Sequence, residues 1–287
     1  MPTGFSRFRP LLVPVLVALL LTGARTTYSD SGPRVISLAP HLTELVFAAG
    51  AGDRLVGVIA HSDWPPEAGQ LPRIGDAFRL DMERIVALEP DLALAWQGGT
   101  ALAAANHLEQ FSIELVWIDI RRLDQIADAI EQIGNRLGTP VAARQSASSF
   151  RDRLRLVPQA GTDEQRVTVF YQISARPLYT LGGRHLINEI FERCGARNLF
   201  AELDTEAAVV DREVVLAGRP DLVLAGTEGR DNPVSDPLEH WRQAASRHDW
   251  SPRLATIDAT RLMRPTPRIL EGIEQVCALT RAIPTAR

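Results

Sequence analysis

The chain has 287 residues, a formal net charge of −4 and 31 basic residues, all of them arginine. Such a length can hold two domains with substantial cores. The acidic balance excludes a general nucleic-acid binder, which would carry a basic excess, and the lack of lysine excludes Schiff-base chemistry and lysine-dependent phosphate loops.

Residues 1–24 read as a secretory signal peptide. Arg7 and Arg9 precede an apolar run over 11–21 broken only by Pro14, and Thr22-Gly23-Ala24 offers small residues for cleavage near Ala24. The run is short for a membrane-spanning helix, an uncleaved anchor being the alternative, and no cysteine stands nearby for lipid attachment. Losing Arg7 and Arg9 takes the charge from −4 to −6. The spacing then predicts a strand over 34–38 and a helix entered at Pro40, with Thr43 and Glu44 near its start and Leu45, Val46 and Ala49 on its apolar face. A second strand follows over 55–59. Residues 61–66 must be irregular, because Pro65 and Pro66 cannot sit inside a sheet. Beyond 96–99 come an alanine-rich helix to Leu108, a strand over 114–118, and a helix over 123–137 with Ile126, Ile130 and Ile133 on one face.

Two stretches, 81–96 and 211–226, repeat each other without a gap. Identical pairs are Asp81/Asp211, Glu83/Glu213, Ala87/Ala217, Pro90/Pro220, Asp91/Asp221, Leu92/Leu222, Leu94/Leu224 and Ala95/Ala225. Each copy predicts a short amphipathic helix, a Pro-Asp stop and an apolar run suited to a buried parallel strand. The fold class expected is α/β, with two Rossmann-like lobes over 33–138 and 165–287. Thr139 as N-cap and Pro140 at N1 start a long helix that Pro158 stops, so 139–160 is a semi-rigid strut between lobes, followed by a polar loop over 161–165. The second lobe should contain an alternating strand over 166–172, a turn over 179–183 and a helix over 186–194. After the second repeat come a polar loop over 227–236, a helix holding Trp241, a strand over 255–258 and a closing helix over 268–282. Cys194 and Cys277 both fall on helices of this lobe. In an exported chain they favour a disulfide over a metal site, two separate buried thiols being the alternative.

Ligands bind open α/β sheets at the carboxyl ends of the strands. Trp96, His61 and Trp64 stand there in the first lobe, and Tyr179 and Thr227 are candidates from the second. Aromatics lining an interlobe cleft suit a flat, partly apolar ligand, although a lone tryptophan at a strand end also serves as core. No nucleophile elbow, dinucleotide fingerprint or zinc-binding histidine pair occurs, and no metal is expected. Glu83 and Glu213 each occupy the first turn of a helix, where the dipole favours a carboxylate in any case.

The residues 33–40, Thr43-Glu44-Leu45, 62–66, 83–88, Pro90-Asp91-Leu92 and Ala95-Trp96 together resemble the periplasmic vitamin B12-binding proteins. These serve B12 ABC importers and belong to the helical-backbone substrate-binding proteins. The likeness continues through Tyr179-Thr180, Cys194-Gly195, 211–213 and Pro267-Arg268 to Cys277. It implies two lobes joined by one long helix, with no enzymatic activity and no cofactor beyond the bound corrinoid. It implies a monomer that delivers its ligand to an inner-membrane permease dimer. His61, Trp96, Tyr179 and Arg264 become expected ligand contacts, His61 standing where a relative has tyrosine and Tyr179 where it has phenylalanine. Cys194 and Cys277 match a disulfide pair, and Glu83 and Glu213 match glutamates that dock onto transporter arginines. A family tryptophan falls on Ala77, with Phe78 beside it as a substitute; another falls on Ala207 with no aromatic adjacent. A family aspartate falls on Thr260, with Asp258 two residues earlier. Rival readings keep the fold with a ferric siderophore or haem, where His61 or Tyr179 would ligate iron, or make the chain an exported enzyme using Asp63 or Asp258 as acid or base.

Overall fold

The structure, a computed structural model, describes Met1 and residues 32–100, 102–158, 166–227 and 236–284. The expected signal peptide, the polar loop over 161–165 and most of the loop after the second repeat (228–235) lie outside the described residues. The first lobe runs β1 (Val35–Ser37), α1 (Pro40–Ala48), β2 (Leu55–Val58), α2 (Met82–Ala87), β3 (Leu92–Trp96), α3 (Leu102–Glu109) and β4 (Glu114–Ile118). Its four strands are all parallel, in the order β2-β1-β3-β4. The direction of winding reverses between β1 and β3, so their carboxyl ends open the crevice where such sheets bind ligands.

Two helices follow, α4 (Gln125–Leu137) and α5 (Pro140–Leu156). The second has 17 residues and is about 25 Å long. Its buried residues Ala143, Ala147, Phe150 and Leu154 recur at helical spacing and pack it against α4. It is therefore held along its side as well as at its ends. Thr139 does not cap it through its side chain; the hydroxyl instead donates to the Ala49 carbonyl at 2.8 Å, tying the helix start to the end of α1.

The second lobe comprises β5 (Val167–Ala175), β6 (Leu178–Leu181), α6 (Ile187–Arg193), β7 (Ala196–Asn198), β8 (Ala207–Val209), α7 (Arg212–Gly218), β9 (Leu222–Thr227), α8 (Glu239–Arg247), β10 (Arg253–Asp258), α9 (Ala259–Leu262) and α10 (Ile269–Arg281). Its parallel part runs β7-β5-β9-β10, the order of the first sheet, with β6 and β8 added antiparallel at one side. Two expectations change here. The strand over 166–172 does not alternate, because β5 lies in the middle of the sheet with Val169, Phe170, Tyr171 and Gln172 all buried. Tyr179 lies in strand β6 rather than a turn, paired with Ser174 on one side and Val209 on the other.

The two repeats occupy equivalent places, and their aspartates show why. Asp91 Oδ2 accepts from the Arg34 N–H at 2.7 Å, while its own N–H donates to the Arg34 carbonyl at 2.9 Å. Asp221 repeats both bonds with Thr168, at 2.8 and 2.9 Å. The carbonyl of each aspartate accepts from the strand on the other side, through Glu114 or Arg253. One residue thus sets the register of three parallel strands. Ile85 and Val215, at matching positions of α2 and α7, are both buried.

One hydrophobic cluster contains residues of both lobes, from Val35, Leu42 and Ile130 through Phe150 to Tyr171, Leu224 and Ile273. The lobes share a core rather than meeting only at a linker. Cys194 and Cys277 form a disulfide with their Cα atoms 4.5 Å apart, closing a separation of 83 residues between the end of α6 and α10. Loop entropy assigns such a closure about 4–5 kcal/mol.

Candidate functional site

The first turn of α1 should bury apolar residues, yet His41, Thr43 and Glu44 are all buried. Each addresses a different neighbouring element. The His41 ring meets Trp96 edge-on, with centroids 5.1 Å apart. The Thr43 hydroxyl lies 2.9 Å from Ser37 Oγ and 3.2 Å from Ser62 Oγ, fastening the loop that follows β2. Glu44 Oε1 accepts from Arg264 Nη1 at 2.8 Å, across the lobes.

Trp96 ends β3 half-buried. Its N–H donates to Thr100 Oγ1 at 2.9 Å, and its carbonyl accepts from Thr100 and Gly99. A Cβ on Gly99 would stand 2.3 Å from the indole, so glycine is needed for the turn to lie over the ring. Phe78 projects from the adjacent loop and is 97% exposed. Asp76 Oδ1 accepts from the N–H groups of both Phe78 and Arg79 at 2.8 Å, which holds its carboxyl below the usual range. Phe78 and Thr100 line one small cavity, placing it beside the end of β3.

His61 is exposed and left-handed at φ 63°, a conformation histidine tolerates better than most residues. Its carbonyl accepts from Arg264 Nη2 at 3.0 Å. Asp63 Oδ1 accepts from Arg264 Nη1 at 2.7 Å. Trp64 is 46% exposed, with the Arg268 guanidinium 4.7 Å above its ring. From the second lobe, Asp258 caps α9 through Thr260, and its other oxygen pairs with Arg261 at 3.2 Å. The Thr260 hydroxyl accepts from Arg268 at 2.8 Å. The residues from Asp258 through Thr260, Arg268, Glu44 and Arg264 to Asp63 therefore form one connected network. Tyr179 stands apart from it, half-buried in the β6–β8 part of the second sheet. Glu83 and Glu213 are exposed in the first turns of α2 and α7, one on each lobe. A cavity of about 180 Å³ between the end of α5 and α10 is lined by none of the expected ligand contacts.

Burial competes with ion pairing across the network. It pushes the His41 imidazole down to about 3, with help from Arg264. It pushes the Glu44 carboxyl up, and the hydrogen bond from Arg264 opposes it. Partial desolvation also works upward on Asp63, but its hydrogen bond and charge pairing with Arg264 outweigh that and hold it low. Among the described residues, the buried His41 Nε2 has no hydrogen-bond partner. That nitrogen keeps unused hydrogen-bonding capacity on the ring that meets Trp96.

Sequence reasoning missed Glu44, Arg268 and the role of His41. The one signal was a polar pair, Thr43-Glu44, breaking into an apolar helix; nothing local pointed to partners more than two hundred residues away.

Comparison with known proteins agrees with this architecture. A family model described as periplasmic binding protein matches residues 35–239. The vitamin B12-binding protein of Vibrio cholerae is 35% identical over 272 residues, covering 93% of this chain and 97% of that one. The crystal structure of a periplasmic vitamin B12-binding protein of the same organism superposes with a TM-score of 0.75 at 33% identity, covering 88% and 97%. A periplasmic haem-binding protein from Pseudomonas aeruginosa superposes with a TM-score of 0.73 at 22% identity, covering 89% and 95%, a likeness of fold alone. This chain belongs to the periplasmic binding protein family.

Proposed function

We propose that the protein captures a corrinoid, vitamin B12 or a close relative, in the crevice between its lobes and delivers it to an inner-membrane ABC importer. The observation that carries this reading is the aromatic and arginine constellation at the carboxyl ends of the first sheet, in a chain 35% identical to a vitamin B12-binding protein. A corrin is a broad, nearly flat macrocycle with amide-bearing edges. Trp96, Trp64 and Phe78 offer apolar faces for it, and His61, Arg264 and the Asp258–Thr260 end of the network offer polar groups for its rim. Tyr179 is the contact expected from the second lobe. Binding of this kind makes and breaks no covalent bond, so the protein acts as a carrier with no resident cofactor.

In this reading the mature chain begins near residue 25, the lobes span 33–138 and 165–287 about the 139–160 link, and the protein is a monomer in the periplasm. Glu83 and Glu213 then present one carboxylate per lobe to a two-fold symmetric permease. Calorimetric titration of the purified mature protein with cyanocobalamin, haem and ferric siderophores tests the ligand. Saturable binding of cyanocobalamin at one site, with weak or no heat from the others, is expected; preference for haem or a siderophore would overturn the assignment.

A further inference from the structure

Glu44 lies in α1 of the first lobe with its side chain 3% exposed. A carboxylate this deep is costly unless paired. Its partners come from the other lobe: Arg264 at 2.8 Å and Arg268 at 3.8 Å. Arg264 reaches across, and among the described residues its guanidinium hydrogen bonds all go to first-lobe acceptors, namely Glu44, Asp63 and the His61 carbonyl. Arg268 touches Glu44 and covers the Trp64 ring, while its second nitrogen holds Thr260. Two guanidinium groups of one lobe are thus balanced by two carboxylates of the other.

The pairing is asymmetric in strength. Asp63 is 60% exposed, so its share is screened, whereas Glu44 faces Arg264 at 14% exposure in a low-dielectric setting. A separate tie joins the lobes through Glu189 of α6, which accepts from the Leu123 N–H at 2.9 Å. That tie bears on neither Trp64 nor His61; the Glu44 pairing bears on both.

We propose that Glu44 is a positioning residue for the ligand crevice: through Arg264 and Arg268 it fixes the spacing of the lobes and the pose of the His61–Trp64 loop before any ligand arrives. This rests on reading the crevice as the corrinoid site. The contacts it rests on are all between residues of this chain, so the two can fail separately.

The test uses the mature protein with spin labels at Glu109→Cys in α3 and Gln243→Cys in α8, both exposed and one per lobe. Distance distributions are recorded by double electron–electron resonance without ligand, beside a cyanocobalamin titration. The parent should give one narrow distribution. Glu44→Gln keeps shape and removes charge; it should broaden the distribution and weaken cyanocobalamin binding roughly tenfold or more. Asp63→Asn should do less on both counts. Arg264→Lys keeps a charge beside Glu44 without bridging to the His61 carbonyl, and decides the matter if Glu44→Gln does not fold. It too should broaden the distribution. A narrow, unshifted distribution in whichever of these two variants folds overturns the proposal, even if cyanocobalamin binds. A broadened distribution in a protein that never bound cyanocobalamin would sustain the positioning role and reject the ligand.

Discussion

Trp96 is held by the His41 ring beneath it, the Gly98–Gly99 turn over it and two backbone bonds from Thr100 and Gly99. So fixed, it offers a ligand a surface without a large ordering cost. Trp96→Ala should weaken corrinoid binding by about 1–3 kcal/mol, the range for an aromatic anchor. Calorimetry of the variant beside its circular dichroism checks this, and unchanged affinity would make the residue a core element. His41 also governs acid stability. Its folded pKa of about 3, and that of about 4 for buried His185, lie below the ordinary 6.5. Both side chains are therefore neutral in the folded protein and take up protons on unfolding. The stability they contribute is complete above pH 6.5 and is lost as pH falls toward those values, at about 1.4 kcal/mol per pH unit per histidine. The raised pKa of Glu44 works in the opposite direction, adding stability as it takes up its proton. Urea unfolding at pH 7 and pH 5.5 should show the net loss, and His185→Gln should shrink it.

Among elements, the two helix–Pro-Asp–strand repeats make the same structural joint twice. Each aspartate carboxylate accepts from a backbone N–H at the start of the neighbouring strand, and the peptide group of the same residue bonds to both sides. Alanine at either position leaves those N–H groups to water at a partly exposed site. Asp91→Ala and Asp221→Ala should therefore each cost about 1–2 kcal/mol, and the double variant should cost their sum because the joints share no partner. Chemical denaturation of the three variants measures it. Unequal costs would mean that one of the joints is supported by something besides its aspartate. The same repeats place Glu83 and Glu213 alike, but each is exposed and, among the described residues, neither has a hydrogen bond or ion pair that explains the match.

At the scale of the whole molecule, the shared core, the cross-lobe arginines and the Glu189–Leu123 bond oppose wide opening of the lobes. Under the proposed function, the two exposed glutamates would be the groups that register on a symmetric permease. Charges at such a rim act on encounter and register and are screened by salt. Glu83→Ala/Glu213→Ala should retain cyanocobalamin affinity and fold while losing stimulation of uptake in a reconstituted importer at low salt. Normal uptake would leave the helix dipole as sufficient reason for both carboxylates.

By itself the amino-acid sequence determined the α/β class, the repeated helix–strand units, the long helix entered at Pro140 and the aromatics at strand ends. Those features are encoded locally: periodicity, Pro and Gly stops, and a repeat with its register intact in 81–96 and 211–226. The tertiary structure alone decided that β5 is buried on both faces, that Tyr179 belongs to a strand and that Thr139 ties α5 to α1 instead of capping it. It also decided that Asp258 and Arg264, which read as ligand groups in the sequence, are bonded into a network spanning both lobes. Glu44 was legible only as a polar residue near a helix start, because its meaning depends on Arg264, 220 residues along the chain. Local spacing records which face of an element is apolar. Only the folded arrangement brings two distant charges into the same dry interior, where each requires the other.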